Sequence, residues 1–226
     1  MSDSLFDGKS FYGYPFWNTV NRLVVNTHFH SAFLTGLDNL PDSGPFLLIA
    51  NHSSRWDGPV VQYILNRRAN YMVSPNEIKG IQKPAVLSVG AFPANPRLDL
   101  VGYASRQLSS GEPVVIFPEG NIFYDGVLRR FKPGAAKVVL ACRRKKVHLK
   151  VVPLGIHYEH GVRPRFVASV GRIIDEEISD ILVDGEGKRE RLTEVTDLFR
   201  RRVMQAVEQS RSLAASNNSQ PALAAL

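Results

Sequence analysis

Five short and almost uninterrupted apolar runs punctuate this chain: FLLIA at 46–50, NYMVS at 70–74, PVVIF at 113–117, KVVPLG at 150–155 and RFVASVG at 165–171. A strand with one wet face alternates apolar and polar side chains. Apolar residues at consecutive positions require both faces of the sheet to be covered. The covers lie between the runs, as segments of helical period. Residues 59–68 place Val60, Val61, Ile64 and Leu65 on one side, with Pro59 near the start, and residues 134–146 group Ala135, Val138, Val139 and Cys142 before the basic run RRKK. The alternation predicts one α/β domain with a central, mostly covered sheet flanked by helices.

The two ends read differently. FYGYPFW at 11–17 leads into a stretch, Asn18 to Leu34, in which Val20, Leu23, Val24, Phe29 and Phe33 keep roughly helical spacing. This aromatic, helical N-terminal segment, residues 1–36, either packs on the core or sits at an interface where one end of each ring is wet. Residues 188–212 carry Leu192, Val195, Phe199, Val203 and Val207 at the spacing of a long amphipathic helix. The expected division is therefore 1–36, an α/β domain over 37–211, and a disordered tail over 212–226.

Composition excludes several classes. With 44% hydrophobic and 22% charged residues the chain is too apolar for a disordered protein, and its one cysteine, Cys142, forms neither an internal disulfide nor a cysteine-based zinc site. No apolar run reaches the ~18 residues of a membrane span, and MSDSLFDGKS lacks the apolar stretch of a signal peptide, so a cytoplasmic location is expected. Lys and Arg outnumber Asp and Glu by 28 to 21, a net charge of +7 that suits an anionic partner: nucleic acid, anionic lipid or a phosphate-bearing substrate.

The densest polar cluster, Asn51-His52-Ser53-Ser54-Arg55-Trp56-Asp57, directly follows FLLIA. On a regular helix His52 and Asp57 would point about 140° apart, so they meet only if the segment turns before a helix begins. Asp57 could then accept the Nδ1–H of His52 and leave Nε2 as a base. An aspartate before Gly-Pro is equally a good helix cap, and the spacing arises readily by chance. A second cluster, Phe117-Pro118-Glu119-Gly120-Asn121, also follows a strand run and would place a carboxylate and backbone N–H groups at the sheet edge. The proline in Val151-Val152-Pro153-Leu154-Gly155 points to an edge strand or a bulge.

In that order these segments resemble the glycerolipid acyltransferases, whose type members are the 1-acyl-sn-glycerol-3-phosphate (lysophosphatidate) acyltransferases. The resemblance spans about residues 35–175 and continues through Asp125-Gly126, Phe131-Lys132 and Gly134. It implies O-acyl transfer from acyl-CoA or an acyl-carrier protein, as co-substrate and without a cofactor or metal, to a lysolipid hydroxyl. His52 would be the base and Asp57 its orienter, with Asn51, Pro118, Glu119 and Gly120 shaping the acceptor site and helix-start N–H groups as oxyanion donors. Arg97 and Lys79 are further candidates for anion contacts.

Two departures bear on the acceptor. The family continues its glutamate motif as Glu-Gly-Thr-Arg-Ser, whereas this chain has Ile122 where the arginine would be. Its middle Gly-x-x-Phe-x-x-Arg motif survives only loosely, as Gly90 to Arg97. A lost guanidinium–phosphate contact is worth about 1.5–3 kcal/mol. A phosphate-bearing acceptor stands first and a glycolipid or other lysolipid second. The partners expected are thus an acyl donor, a lysolipid and an anionic membrane surface that holds the protein peripherally, with no nucleic acid.

Other readings compete. The runs RRKK (143–146) and RRR (200–202) would suit a nucleic-acid-binding protein, but no RNA- or DNA-binding signature accompanies them. His28, His30, His157 and His160 would suit a metal hydrolase, but neither pair has the i,i+4 spacing with a nearby glutamate. A lipid-binding module without activity would have no need of His52, Asp57 and Glu119 together.

Overall fold

The computed structural model describes residues 13–65, 67–74, 83–95, 98–184 and 187–217. Seven strands form one sheet in the order β1-β7-β6-β2-β5-β3-β4, with β1 Ser31–Thr35, β2 Phe46–Ala50, β3 Asn70–Val73, β4 Ala91–Pro93, β5 Val114–Ile116, β6 Lys150–Glu159 and β7 Arg165–Val170. All neighbours run parallel except β6 and β7, which pair antiparallel through Leu154–Val170 to Glu159–Arg165.

Among the described residues seven α-helices accompany the strands: α1 Gly13–His28, α2 Asp57–Ile64, α3 Lys83–Ser88, α4 Leu100–Ser109, α5 Gly134–Arg144, α6 Asp175–Asp184 and α7 Lys188–Asn217. They make two apolar layers. On one face Leu47, Ile49, Val114 and Ile116 meet α4, α5, α6 and α7. On the other, Phe46, Leu48, Ala50 and Val115 meet α1 and α2. Each β2 side chain is at most 1% exposed, which is why the run FLLIA carries no polar residue. α4 starts where Asp99 accepts the Gly102 N–H, an aspartate cap of ordinary kind.

Several expectations change. The N-terminal periodic stretch is not one helix: α1 ends at His28, and residues 31–35 form an edge strand paired with β7, so the sheet reaches into the 1–36 segment. The 59–68 helix starts earlier and stops at Ile64, after which Leu65 turns extended. At the other end α7 continues through Asn217, so residues 212–217 are helical, and 218–226 lie outside the described residues.

Pro153 marks neither an edge nor a bulge. Its strand β6 lies between β2 and β7, and Pro153 is in register with Ile49. Its carbonyl faces the β7 side and accepts from Gly171 N, just beyond the end of β7, so its missing N–H deletes no ladder bond. Gly155, two residues on, is a packing requirement: a Cβ there would lie 2.2 Å from the α7 backbone at Ala206 and Val207. Ser210 of α7 reinforces this approach by donating to the Gly155 carbonyl at 3.0 Å.

The topology fixes where a ligand can go. β2 and β5 are neighbours, yet the chain leaves β2 into α2 on one face and reaches α5 on the other face after β5. Connections that part to opposite faces open a crevice at the carboxyl ends of the two strands. Both polar clusters of the sequence sit there.

Candidate active site

β2 ends at Ala50, and residues 51–56 form a turn before α2 begins at Asp57. The turn swings His52 back over the helix start, and its Nδ1 lies 2.8 Å from Asp57 Oδ2. A carboxylate at this distance accepts, and the Nδ1–H tautomer that suits the contact leaves Nε2 as an acceptor. None of the described residues hydrogen-bonds Nε2. The ring stacks on Phe117, the residue that ends the β5 run, with centroids 4.5 Å apart and planes at 19°.

Asp57 is fully buried and fully partnered. Its Oδ2 also accepts the N–H groups of Ser53 and Ser54, at 2.8 and 2.9 Å, and its Oδ1 accepts the Tyr158 hydroxyl at 2.7 Å. A buried carboxylate is tolerable only with such donors. The backbone N–H groups of Ser53 and Ser54 are therefore spent on Asp57.

Glu119 has a different setting. It is 5% exposed, and its two oxygens accept backbone N–H groups from separate segments: His52 at 2.7 Å and Arg129 at 2.8 Å. Burial pushes its carboxyl above the usual range, and the two N–H bonds oppose that rise. Both lone-pair positions toward the chain are in use, so Glu119 is a strut between the two loops of the site. Asn51 is a strut as well. Its amide donates to the Ile156 carbonyl at 2.9 Å and accepts the Ile156 N–H at 2.8 Å, extending the β2–β6 ladder one step with a side chain.

Pro118 is buried, and its carbonyl accepts Lys132 N at 2.8 Å. Gly120 is exposed at φ 68°, and the Lys132 side chain crosses the space that a Cβ would need. Ile122 is half-buried in the turn that follows, which is tied back by Phe123 N donating to the His52 carbonyl at 2.9 Å. His52, Ser53, Glu119, Phe123, Leu128 and Val207 line a depression at this place. Lys79 and Arg97 lie outside the described residues.

Sequence reasoning passed over Tyr158, Phe117 as a ring platform, and Arg211 of α7. Arg200 donates to the carbonyls of Leu128 and Arg129, and Arg211 to that of Gly126 at 2.5 Å, so α7 grips the loop that carries Ile122. Arg202 pairs with Glu177, Arg143 with Ser179 and Lys145 with Ser105. Members of both basic runs thus hold the fold together. His28 stacks on Trp56 at 4.0 Å, and among the described residues no three His, Cys, Asp or Glu side chains converge as metal ligands.

A family model described as Acyltransferase matches residues 32–157, more than half of the chain, and the chain belongs to that family. Among solved structures it is similar to the 1-acyl-sn-glycerophosphate (LPA) acyltransferase PlsC from Thermotoga maritima, with a TM-score of 0.63 over 85% of this chain and 78% of that one. The two are 17% identical, a level at which the likeness establishes the shared α/β fold. No curated protein matches the chain.

Proposed function

We propose that this acyltransferase moves a fatty acyl group from acyl-CoA or an acyl-carrier protein to the hydroxyl of a lysophospholipid, most simply 1-acylglycerol 3-phosphate, in glycerolipid synthesis or remodelling. The observation that carries the reading is the His52–Asp57 pair at the carboxyl edge of the sheet, in a chain of acyltransferase family and PlsC-like fold. The acceptor hydroxyl gives its proton to His52 Nε2 as its oxygen attacks the thioester carbonyl. The tetrahedral intermediate collapses, the carbon–sulfur bond breaks, and the imidazolium returns the proton to the leaving thiolate. Asp57 holds the ring and stabilises its charged form. Glu119 and Asn51 keep the two loops in place.

A second reading keeps the reaction and changes the acceptor to one without a phosphate. Ile122 favours it, since the turn offers no guanidinium at that position. In the first reading Lys132, whose ammonium lies 3.5 Å from the Gly120 carbonyl, supplies part of the missing charge. Purified protein incubated with one acyl-CoA and a panel of lysophosphatidate, glycerol 3-phosphate and lysoglycolipids separates the two by free thiol and product mass. Product only from phosphate-free acceptors selects the second reading, and thiol release with none of them removes both.

α1 supports work at a membrane surface. The side toward α2 carries Asn18, which accepts from Gln62, and Asn21 and Arg22, which donate to the carbonyls of Pro59 and Tyr63. The opposite side shows Phe16 at 60% and Leu23 at 64% exposure. A helix with its apolar stripe outward suits one-sided insertion into a bilayer, and no described helix is long and apolar enough to cross one. Each cation near anionic lipid would add roughly 1 kcal/mol. Sedimentation with phosphatidylglycerol vesicles, reduced in Phe16→Ser/Leu23→Ser, checks this.

A further inference from the structure

Asp57 has two oxygens with different partners. Oδ2 faces His52 and the two serine N–H groups, whereas Oδ1 is met by one side chain from across the sheet, Tyr158 of β6, 101 residues away. The phenol ring is fixed independently of that bond: it stacks on Phe29 at 5.8 Å and lies against Phe166 at 6.4 Å. Its burial and the adjacent carboxylate push its hydroxyl well above the usual tyrosine range, so it remains a donor throughout the working pH range.

We propose that Tyr158 is a positioning residue: its hydroxyl holds the Asp57 carboxylate and draws charge from it, and so sets the basicity of His52. This rests on the reading of His52 as the base. A neutral donor on Oδ1 spreads the negative charge away from the imidazole. Without it, more charge faces His52 Nδ1 and the imidazolium is better stabilised, while the N–H groups of Ser53 and Ser54 keep Asp57 ionised. The other titratable or charged groups around the pair are Glu119 after β5, Arg129 beyond it, Arg55 of the turn, His28 stacked on Trp56, and His160 beside Tyr158. The Tyr158 hydroxyl is the group among these that bonds Asp57 Oδ1.

The test is a titration of His52 followed by NMR in wild type, Tyr158→Phe, and protein carrying 3-fluorotyrosine at position 158. The phenylalanine keeps the ring packing and removes only the hydroxyl. The fluorinated ring keeps the shape and strengthens the donor. The expected result is a shift of the His52 titration to higher pH, by roughly half a unit to one unit, in Tyr158→Phe. A smaller shift to lower pH is expected with fluorotyrosine. Where acyl transfer is measured, the acid limb of kcat moves with the titration and KM for the acceptor stays within about twofold. An unmoved titration in both proteins overturns the proposal. The titration needs no substrate, so it stands or falls apart from the acyl-transfer reading.

Discussion

Two turns meet at the carboxyl edge of this sheet, each after a parallel strand and each with a buried carboxylate, yet they do different work. In the turn after β2, Asp57 turns its oxygens on a ring, two N–H groups of its own turn and one phenol. In the turn after β5, Glu119 spends both oxygens on backbone N–H groups from two distant segments. One carboxylate tunes a side chain and the other ties down loops. Burial is similar in both, so it is the partners, and not the burial, that distinguish the two carboxylates.

The largest effect that can break this comparison comes from Asp57→Asn. An amide carries no negative charge to stabilise the His52 imidazolium, and kcat for acyl transfer should fall roughly 10³- to 10⁴-fold with the fold retained. Steady-state thiol release together with circular dichroism checks it, and a loss no larger than that of Glu119→Gln erases the distinction between the turns. Ile122→Arg should come next. If the second turn faces the acceptor, the new guanidinium should improve KM for phosphate-bearing acceptors over neutral ones by about 1.5–3 kcal/mol. Competition between two lysolipids in one reaction reads that ratio.

Glu119→Gln turns one acceptor oxygen into a donor that opposes a backbone N–H, at about 1–3 kcal/mol of stability by urea unfolding. The sign of its pH dependence follows from the raised carboxyl. The folded state holds that proton more tightly than the unfolded state does. The stabilisation due to Glu119 is therefore greatest below its ordinary value of 4.5 and declines as pH rises through the higher folded value. The stability difference between wild type and Glu119→Gln should narrow over that window, whereas activity should stay within about tenfold of wild type. The smallest effect belongs to Gly120→Ala. A β-carbon at φ 68° costs about 1 kcal/mol and displaces only the flexible end of Lys132. Thermal melting should register it with little change in kcat.

What the sequence made legible followed from local pattern. The five apolar runs all form strands because the sheet is covered on both faces there, and covering leaves its mark on most residues of each run. β1 and β4 left no such mark. β1 is an exposed edge whose Phe33 continued the helical spacing of α1, and Ala91–Pro93 is too short to show a period. The His52–Asp57 contact could be posed from the sequence because one turn separates its ends, Asp57 being the first residue of α2. The Tyr158–Asp57 contact could not, since it depends on β6 settling beside β2. Glu119 was found by its motif, but its partners are backbone N–H groups, which no side-chain pattern records. Pro153 misled for a related reason: its lost donor falls where β7 has already ended.

The central claim is that the first turn holds the reacting base. Wild type and His52→Ala, compared at equal concentration and with matching melting temperatures, should be assayed for thiol release from acyl-CoA with the best acceptor of the panel. The account predicts a loss of at least about 10²-fold in the variant, the least that removal of a general base is worth. Turnover in His52→Ala equal to wild type would contradict it.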